Sequence, residues 1–329
     1  MKHKISLLVL ISFLFIVQRK LSAQDLYTPD TTISLPGAGG YDYLYIDKQN
    51  NKLYVSHGTA VNVVDLATQK LVGSINDMKR VHGIAIVNKL NRGFISDGNA
   101  NAVVVFDITT LKTIQNIPLT GKNPDAIMYD LFSNKVFAFN GGSNNVSVID
   151  VDAMKEITTI ALGGGPEFAV ADGAGKIYNN IEDKNSLKVI DSKALKVINT
   201  FPLAPCGGPT GIALDSANQR LFTVCRENKG MSVVDAASGK VITTVPIGSG
   251  VDAVAFDPAT KYIFCSNGDG TTTIIKQESA DKYAVVQTLK TLVKARTLAL
   301  DTETHKIYLS VNDPNIKSFK VLVYKLAVQ

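Results

Sequence analysis

A unit of four short apolar runs recurs along the chain and restricts it to few folds. In one clear copy the runs cover residues 126–129, 135–139, 146–150 and 157–160, with Asn- and Gly-containing turns between them. Runs of four or five apolar residues between turn formers are typical of β-strands, and no helical periodicity is sustained here. Each unit therefore predicts a four-stranded sheet.

Landmark residues keep their spacing from unit to unit, at intervals of about 40 to 45 residues. Val87 ends the first run of the second unit, and in the other units an Asp does so: Asp47, Asp130, Asp172, Asp215, Asp257 and Asp301. Each second run carries one aromatic residue: Tyr54, Phe94, Phe137, Tyr178, Phe222, Phe264 and Tyr308. Seven such units predict an all-β fold, a seven-bladed β-propeller with four antiparallel strands per blade.

The two ends of the chain complement each other. Residues 31–35 form a lone strand pattern before the first unit, whereas too few residues follow 319–324 for a fourth strand of the last unit. If the N-terminal strand supplies the missing one, the ring closes and leaves no open sheet edge at the seam. We therefore expect the N-terminal strand to close the ring.

The first 23 residues have the pattern of a secretory signal peptide. A basic start is followed by an apolar run of 13 residues (5–17) and a small-residue cleavage site ending at Ala23. Leu21 is large for its place before the cut, so an uncleaved anchor stays open, although the run is shorter than the ~20 residues that span a bilayer. We expect residues 24–329 to form the propeller in the periplasm, in the medium or on the cell surface.

The formal charge of +5 is concentrated in this leader. Four of the 34 basic residues and none of the 29 acidic residues lie there, so the remainder carries 30 basic and 29 acidic residues. A net charge of about +1 does not create the field that attracts nucleic acid without sequence preference. Nucleic acid is therefore a disfavoured partner. We expect a monomer with no membrane span after the leader is removed.

The strand motifs resemble a known repeat. Tyr54-Val55-Ser56-His57, with Val146-Ser147-Val148-Ile149-Asp150 and its counterparts at 61–65 and 187–191, is similar to the YVTN repeat of YncE-like and surface-layer propellers. The literal Tyr-Val-Thr-Asn sequence does not occur. The resemblance implies seven blades and an extracytoplasmic location, and it carries over no catalytic residue.

Two sets of equivalent positions are rich in polar residues and are the best site signal. We call the residues five before the closing position of each first run the inner ring: Asp42, His82, Asp125, Glu167, Thr210, Asp252 and Arg296. The residues three after each aromatic form the second ring: His57, Asp97, Asn140, Ile181, Cys225, Asn267 and Val311. Both sets belong to loops expected on one face of a propeller. They predict a polar funnel that binds a small ligand or a peptide tip.

Two alternatives remain open at these positions. Asp42, Asp252 and Arg296 come from consecutive blades and would also serve as a charge-neutral group that closes the ring. His57 and His82, with Asp42 and Asp97 nearby, form a possible ligand set for a divalent metal, although hydrogen-bonded or solvated His residues are the default reading. A metal bound there would support the activity of a lyase or a lactone hydrolase. No other cofactor is indicated.

The three Cys residues allow one disulfide. Cys206 and Cys225 belong to loops expected on the same face, so a bridge between them is plausible, and three buried thiols are the alternative. Motifs for covalent haem, a nucleophile elbow, a phosphate-binding loop and a calcium loop are absent from the sequence. The favoured function is a non-catalytic, exported binding protein that recognises a ligand or protein partner at the funnel.

Overall fold

The computed structural model describes residues 25–37, 39–313 and 318–327, which form a ring of seven four-stranded antiparallel sheets. The leader expected over residues 1–23 lies outside the described residues. No helix within these three ranges is long and apolar enough to cross a membrane. The seven-bladed, four-stranded prediction is confirmed.

The chain enters the ring with β1 (Tyr27–Leu35). Blade 1 contains β2 (Tyr41–Asp47), β3 (Lys52–His57), β4 (Ala60–Asp65) and β5 (Lys70–Ile75). Blade 2 contains β6 (Val81–Val87), β7 (Arg92–Asp97), β8 (Ala102–Asp107) and β9 (Thr113–Pro118). Blade 3 contains β10 (Pro124–Asp130), β11 (Lys135–Asn140), β12 (Asn145–Asp150) and β13 (Lys155–Ala161). Blade 4 contains β14 (Pro166–Ala171), β15 (Lys176–Ile181), β16 (Ser186–Asp191) and β17 (Lys196–Pro202).

Blade 5 contains β18 (Pro209–Asp215), β19 (Arg220–Cys225), β20 (Gly230–Asp235) and β21 (Val241–Pro246). Blade 6 contains β22 (Ala253–Asp257), β23 (Tyr262–Asn267), β24 (Thr271–Ser279) and β25 (Lys282–Lys290). Blade 7 contains β26 (Thr297–Asp301), β27 (Lys306–Asp313), β28 (Ser318–Leu326) and β1. Short 3-10 turns cover Asn88–Leu90, Gly98–Ala100 and Glu182–Lys184.

The repeated Asp residues form tight turns, as the sequence predicts. The carboxylate of Asp107 accepts a hydrogen bond from the Thr110 N–H at 2.7 Å, and that of Asp191 accepts one from Ala194 at the same distance. Asp130 at the end of β10 caps its turn in the same way through Ser133. A side chain that bonds the backbone three residues later stabilises the turn that reverses the chain.

The aromatic landmark of each second strand lies in the core. All seven rings are at most 2 % exposed. In the interface between blades 1 and 2, Tyr54 packs against Phe106 with ring centroids 5.7 Å apart, within a cluster that includes Val63 and Ile95. Each fully buried ring contributes about 1.5–3 kcal/mol relative to an exposed one. A blade can bury these rings only against its neighbour, so the ring shape follows from the repeat.

The N-terminal strand closes the ring and is longer than predicted. It covers Tyr27–Leu35 instead of 31–35 and pairs antiparallel with β28, with an irregularity between Pro29 and Thr31. Tyr27 also exchanges two backbone hydrogen bonds with the Gln287 side chain of blade 6, at 2.7 and 3.0 Å. Asp30 pairs with Lys306 and Lys325 at 2.7 and 3.0 Å. The closing strand is therefore held by blades 6 and 7 together.

Candidate binding site at the channel mouth

The loops before the first strands and after the second strands gather at one end of the central channel, which we call the channel mouth. Backbone hydrogen bonds join the two kinds of loop in blade after blade, such as Gly58 N–H to the Gly40 carbonyl at 2.7 Å and Gly268 N–H to the Gly250 carbonyl at 2.9 Å. Both loop sets therefore lie on the same face, and this face carries the candidate site.

Backbone bulges set the inner ring apart from the sheets. In blade 3 the pairing passes from Pro124–Asn140 directly to Ile127–Ala138, which leaves one extra residue in β10 around Asp125. Blades 1, 2, 4 and 5 have the same irregularity at the same place. A β-bulge removes a residue from the ladder and re-aims its side chain. In these five blades the bulge therefore releases the ring residue from the regular pairing of the sheet.

His82 lies at the centre of one half of the inner ring. Its Nδ1 is 2.6 Å from Oδ2 of Asp42 and 3.5 Å from Oδ1 of Asp125, and its side chain is only 4 % exposed. Burial lowers the pKa of His82, but the hydrogen bond with Asp42 and the charge of Asp125 outweigh it and the pKa is raised. Blades 1, 2 and 3 are thereby joined by one polar group.

Asp252 lies at the centre of the other half. It accepts from Arg226 at 2.5 Å, lies 3.3 Å from Nε of Arg296, and is 7 % exposed. Arg226 also pairs with Glu182 at 2.7 Å. Of the expected group of Asp42, Asp252 and Arg296, only the contact between Asp252 and Arg296 forms, because Asp42 bonds to His82. Arg226 is the second cation beside Asp252.

Two further carboxyls of the ring, Glu167 and Asp125, have raised pKa values. Burial raises the pKa of Glu167 to about 9, and the neighbouring charge of Asp125 adds to the shift. Burial likewise raises the pKa of Asp125 to about 6, with Asp42 contributing. Among the described residues no side chain or backbone N–H donates a hydrogen bond to the Glu167 carboxyl. The fold therefore leaves an excess of acidic groups at the centre of the ring.

Two aromatic rings lie beside these carboxyls and come from opposite sides of the propeller. Tyr43 of blade 1 and Phe168 of blade 4 pack with centroids 4.5 Å apart. Burial and then the charges of Asp125 and Asp42 raise the pKa of Tyr43. An apolar cavity of about 250 Å³, lined by both rings and residues such as Ile86 and Met128, lies within the channel. The aromatic pair thus forms part of the cavity wall, and the Tyr43 hydroxyl lies within the electrostatic influence of the carboxyls.

Two adjoining clefts open the channel mouth to solvent. One of about 400 Å³ is lined by residues of blades 1 and 2, including Asp42, Lys79 and His82. The other, of about 620 Å³, lies where blades 6, 7 and 1 meet. Gly40, Tyr41 and Arg80 line both clefts. The clefts open beside three inner-ring residues, Asp42, His82 and Arg296, so this face carries a concave polar surface.

The second ring does not reach this funnel. His57, Asp97, Asn140, Ile181, Cys225, Asn267 and Val311 are all 3 % exposed or less. Asn140 donates to Ser147 Oγ at 2.9 Å, and Asn267 donates to Thr273 Oγ1 at 3.1 Å. These amides fasten the second strand to the third, so their placement corrects the expectation that they face a ligand.

Asp97 and Cys225 of the second ring are also engaged in the fold. Asp97 accepts the backbone N–H groups of Lys79 and Arg80 at 2.9 and 2.8 Å. Cys225 forms a disulfide with Cys206, with Cα atoms 5.2 Å apart, and Cys265 is free and buried. This is the pairing that the sequence allows.

The candidate metal ligands differ from the expected pair. His57 does not join His82, because its ring stacks on Phe319 with centroids 4.2 Å apart. Instead, ligand atoms of Asp42, His82 and Asp125 lie within 4.8 Å of one another. Atoms sharing a tetrahedral zinc ion lie about 3.3 Å apart. The His82–Asp125 separation fits that value, and Asp42 would have to withdraw slightly from His82.

Several residues near the channel mouth could not be identified from the repeat pattern. Arg226 follows the second ring by one residue, and Arg80 immediately precedes its strand, so both fall in loops where the repeat has no fixed residue type. Tyr43 and Phe168 each follow an inner-ring residue. The only pattern that points to them is their place beside the ring, since a bulge exposes two consecutive side chains.

No family model matches the chain, and no curated protein matches it. Solved structures match over nearly the whole length. A chain of hydrazine synthase from Kuenenia stuttgartiensis is 17 % identical, with a TM-score of 0.75 over 90 % of this chain and 97 % of that one. A chain of the mitotic checkpoint complex is 15 % identical, with a TM-score of 0.76 over 98 % of each chain.

A third structure agrees with these two. The Cps50 (Swd1) β-propeller domain of Myceliophteria thermophila is 11 % identical, with a TM-score of 0.74 over 92 % of this chain and all of that domain. At such low identity the likeness concerns the fold alone, because propellers with one architecture serve unrelated functions. The comparisons show that this chain has the seven-bladed β-propeller fold.

Proposed function

We propose that this chain is an exported β-propeller binding protein that recognises a small molecule or a peptide tip at the channel mouth, as a monomer and without catalysis of its own. The observation that carries the proposal is the pair of connected clefts, which expose ionisable residues of blades 1, 2, 6 and 7. Concave sites with a few convergent polar groups are typical of ligand binding.

The carboxyls beneath the clefts support the same conclusion. Glu167 and Asp125 are held with raised pKa values by burial and mutual repulsion, which opposes folding. Groups perturbed in this way, and not compensated by the fold, are frequent at functional sites. The N-terminal leader pattern and the Cys206–Cys225 disulfide support export, because disulfides persist in oxidising compartments.

Gly40 offers a direct test of the binding proposal. It lines both clefts, and a Cβ added there would meet no atom within 4 Å. Gly40→Trp should therefore fill the clefts without strain, and Gly40→Ala is the matched control. A panel of organic acids, amines, sugars, nucleotides and short peptides would be screened by thermal shift against all three proteins.

The expected result is at least one compound that stabilises the wild type and Gly40→Ala but not Gly40→Trp. Compounds that stabilise all three equally would place binding elsewhere and contradict the proposal.

N-terminal sequencing of the protein recovered outside the cytoplasm tests the export component. A mature chain beginning at Gln24 is expected, and retention of the intact chain in the cytoplasm would refute export.

A metal-assisted lyase or lactone hydrolase is the second candidate, favoured by the cluster of Asp42, His82 and Asp125. A divalent metal held by these residues would supply Lewis-acid chemistry at the channel mouth. Elemental analysis of protein purified with zinc should find metal in the wild type and in His57→Gln, but not in Asp125→Asn. Equal metal content in all three, or none in any, would contradict this candidate.

A further inference from the structure

Four cations line the two clefts at the channel mouth. Lys79 and Arg80 border the cleft between blades 1 and 2, while Arg80, Lys294 and Arg296 border the larger cleft between blades 6, 7 and 1. Lys79, Arg80 and Lys294 are exposed, and Arg296 retains 43 % exposure of its side chain. Positive charge is thus concentrated around an open, concave surface.

The fold does not use most of this charge. Within the described ranges no carboxylate lies within 4.0 Å of Lys79, Arg80 or Lys294. The contrast with other arginines is clear, because Arg220 is paired with both Asp235 and Asp281, at 2.7 and 2.9 Å. Cations that gather in a cleft without counter-ions provide charge-assisted donors for an external anion.

The acidic residues that line the clefts are already engaged. Asp269 of the larger cleft accepts from the Ser249 N–H and from Thr271 Oγ1, both at 2.7 Å, and local hydrogen bonds lower its pKa against the effect of burial. Asp42 of the smaller cleft bonds to His82. Within the described ranges neither carboxylate forms an ion pair with a cation of the clefts, and three of the four cations remain available to an external anion.

The arrangement of charge along the channel also orients a ligand. The inner-ring carboxyls Asp42 and Asp252 form an acidic level beside this cationic rim, because Asp42 lines the smaller cleft and Asp252 lies 3.3 Å from Arg296. An anionic group would be repelled from this inner level and attracted to the rim. A ligand would consequently keep its anionic end at the rim and direct an uncharged or cationic part toward the carboxyls.

We propose that the cleft between blades 6, 7 and 1 is an anion site in which Arg80, Lys294 and Arg296 bind the carboxylate or phosphate group of a small organic acid. This inference rests on the proposed binding function and specifies its ligand class. Arg80 and Lys294 are the informative positions, because both side chains are exposed and unpaired within the described structure. Arg296 also contacts Asp252, so its replacement would disturb the inner ring as well.

The test uses citrate and inorganic phosphate as separate probes, titrated into the wild-type protein by calorimetry at low ionic strength. Arg80→Gln and Lys294→Gln should each weaken binding about tenfold, and the double variant about a hundredfold, as expected for lost charge-assisted hydrogen bonds. The exposed Lys240→Gln, on a turn at the opposite end of blade 5, is the matched control and should bind like the wild type. The tighter-binding probe identifies carboxylate or phosphate as the preferred group.

Two outcomes would overturn the anion site. One is a wild type that binds neither probe, and the other is a double variant that binds as tightly as Lys240→Gln. The Gly40→Trp variant separates this failure from failure of the proposed function. If an uncharged compound is excluded by Gly40→Trp but binds normally to the double variant, the channel mouth is a binding site without anion selectivity. If Gly40→Trp changes the binding of no compound, both proposals are wrong.

Discussion

The inner ring and the second ring have similar sequence patterns but differ in how far their acidic residues are buried. In the inner ring Asp42, Asp125 and Glu167 are partly exposed, and only some of their charge is balanced. In the second ring Asp97 and Asn140 are 3 % exposed or less, and they bond to backbone or side-chain groups of their own face. The same polar residue types are therefore partly open to solvent in one ring and bonded within the fold in the other.

The difference lies in the strand that carries each ring. The innermost strand faces the channel on one side, and its bulge frees the ring residue from the ladder. The second strand lies between two strands of its own blade, and both of its faces are covered by neighbouring blades, so β3 and β11 are buried at every residue but the first. A polar residue there must find a partner within the protein. The comparison predicts that second-ring changes alter stability, whereas inner-ring changes alter binding and pH dependence.

The largest effect is expected for the disulfide that joins the second ring to the preceding loop. Replacing Cys206 and Cys225 together by Ala opens a loop with a sequence separation of 19. For a loop of this size the stability lost is about 3 kcal/mol, mainly because the unfolded chain gains freedom. Urea denaturation would measure it, and the wild type in a reducing agent should match the variant. Identical midpoints for oxidised wild type and variant would contradict the assignment.

The next largest effect is expected for Asp97→Ala. It removes the acceptor of two backbone N–H groups, at 2.9 and 2.8 Å, and leaves both donors without their partner. The expected loss is about 2 kcal/mol in the free energy of unfolding. Asp97→Asn, which keeps an acceptor oxygen, should lose less. If Asp97→Ala is as stable as the wild type but fails to bind a ligand, Asp97 has a role in binding and not in stabilising the fold.

A smaller effect of opposite sign is expected for Glu167→Gln in the inner ring. Because the pKa of Glu167 is raised from 4.5 to about 9, the folded protein retains a proton that the unfolded chain releases as the pH rises through this range. Wild-type stability from this group is therefore full at acid pH and falls toward pH 9. The variant avoids that loss, so it should exceed the wild type by about 1 kcal/mol at pH 8 once solvent screening is considered.

Chemical denaturation at pH 4 and pH 8 would measure this difference, which should be present only at pH 8. Glu227→Gln, which replaces an exposed carboxyl on the same face, is the matched control. A stability difference of the same size at both pH values would mean that the effect is one of packing and not of charge. In that case the inner ring would resemble the second ring.

The fold could be predicted because its determinants are periodic. The aromatic residue of each second strand and the Asp that caps each turn recur at fixed intervals, and each has one physical role. The closing strand was also predictable, since an unfilled place in the last blade had one matching segment at the other end of the chain. Its extra length was not, because contacts of Tyr27 with Gln287 come from a neighbouring blade.

The candidate site could be predicted only in part. The positions of the inner ring follow from the repeat, but its partners depend on bulges and loops, where the repeat fixes neither length nor residue type. This is why Asp42 was expected beside Arg296 and lies beside His82, and why Arg226 was missed. The sequence predicts that the second ring faces a ligand, because its loops lie on the same face as the channel mouth. Its burial follows from the position of the second strand inside the blade, which loop position alone does not reveal.

The smallest effect is expected for His57→Phe, which tests whether the second ring is purely structural. His57 is 3 % exposed and stacks on Phe319 at 4.2 Å, and its Nε2 has no hydrogen-bond partner among the residues that the structure describes. A phenyl ring of similar size keeps the stack and removes an unsatisfied polar atom, so unfolding at pH 7.5 should change by no more than about 0.5 kcal/mol. Binding at the channel mouth should be unchanged.

Acid pH should separate His57→Phe from the wild type. Burial lowers the pKa of His57, so the unfolded chain takes up a proton below pH 6.5 before the folded protein does. Wild-type stability is therefore full above this pH and declines below it, whereas the variant has no such decline. Denaturation at pH 5 should show the variant to be the more stable protein. Loss of ligand binding by His57→Phe at unchanged stability would contradict the division between the rings, because it would give a buried second-ring residue a role that only the exposed inner ring should have.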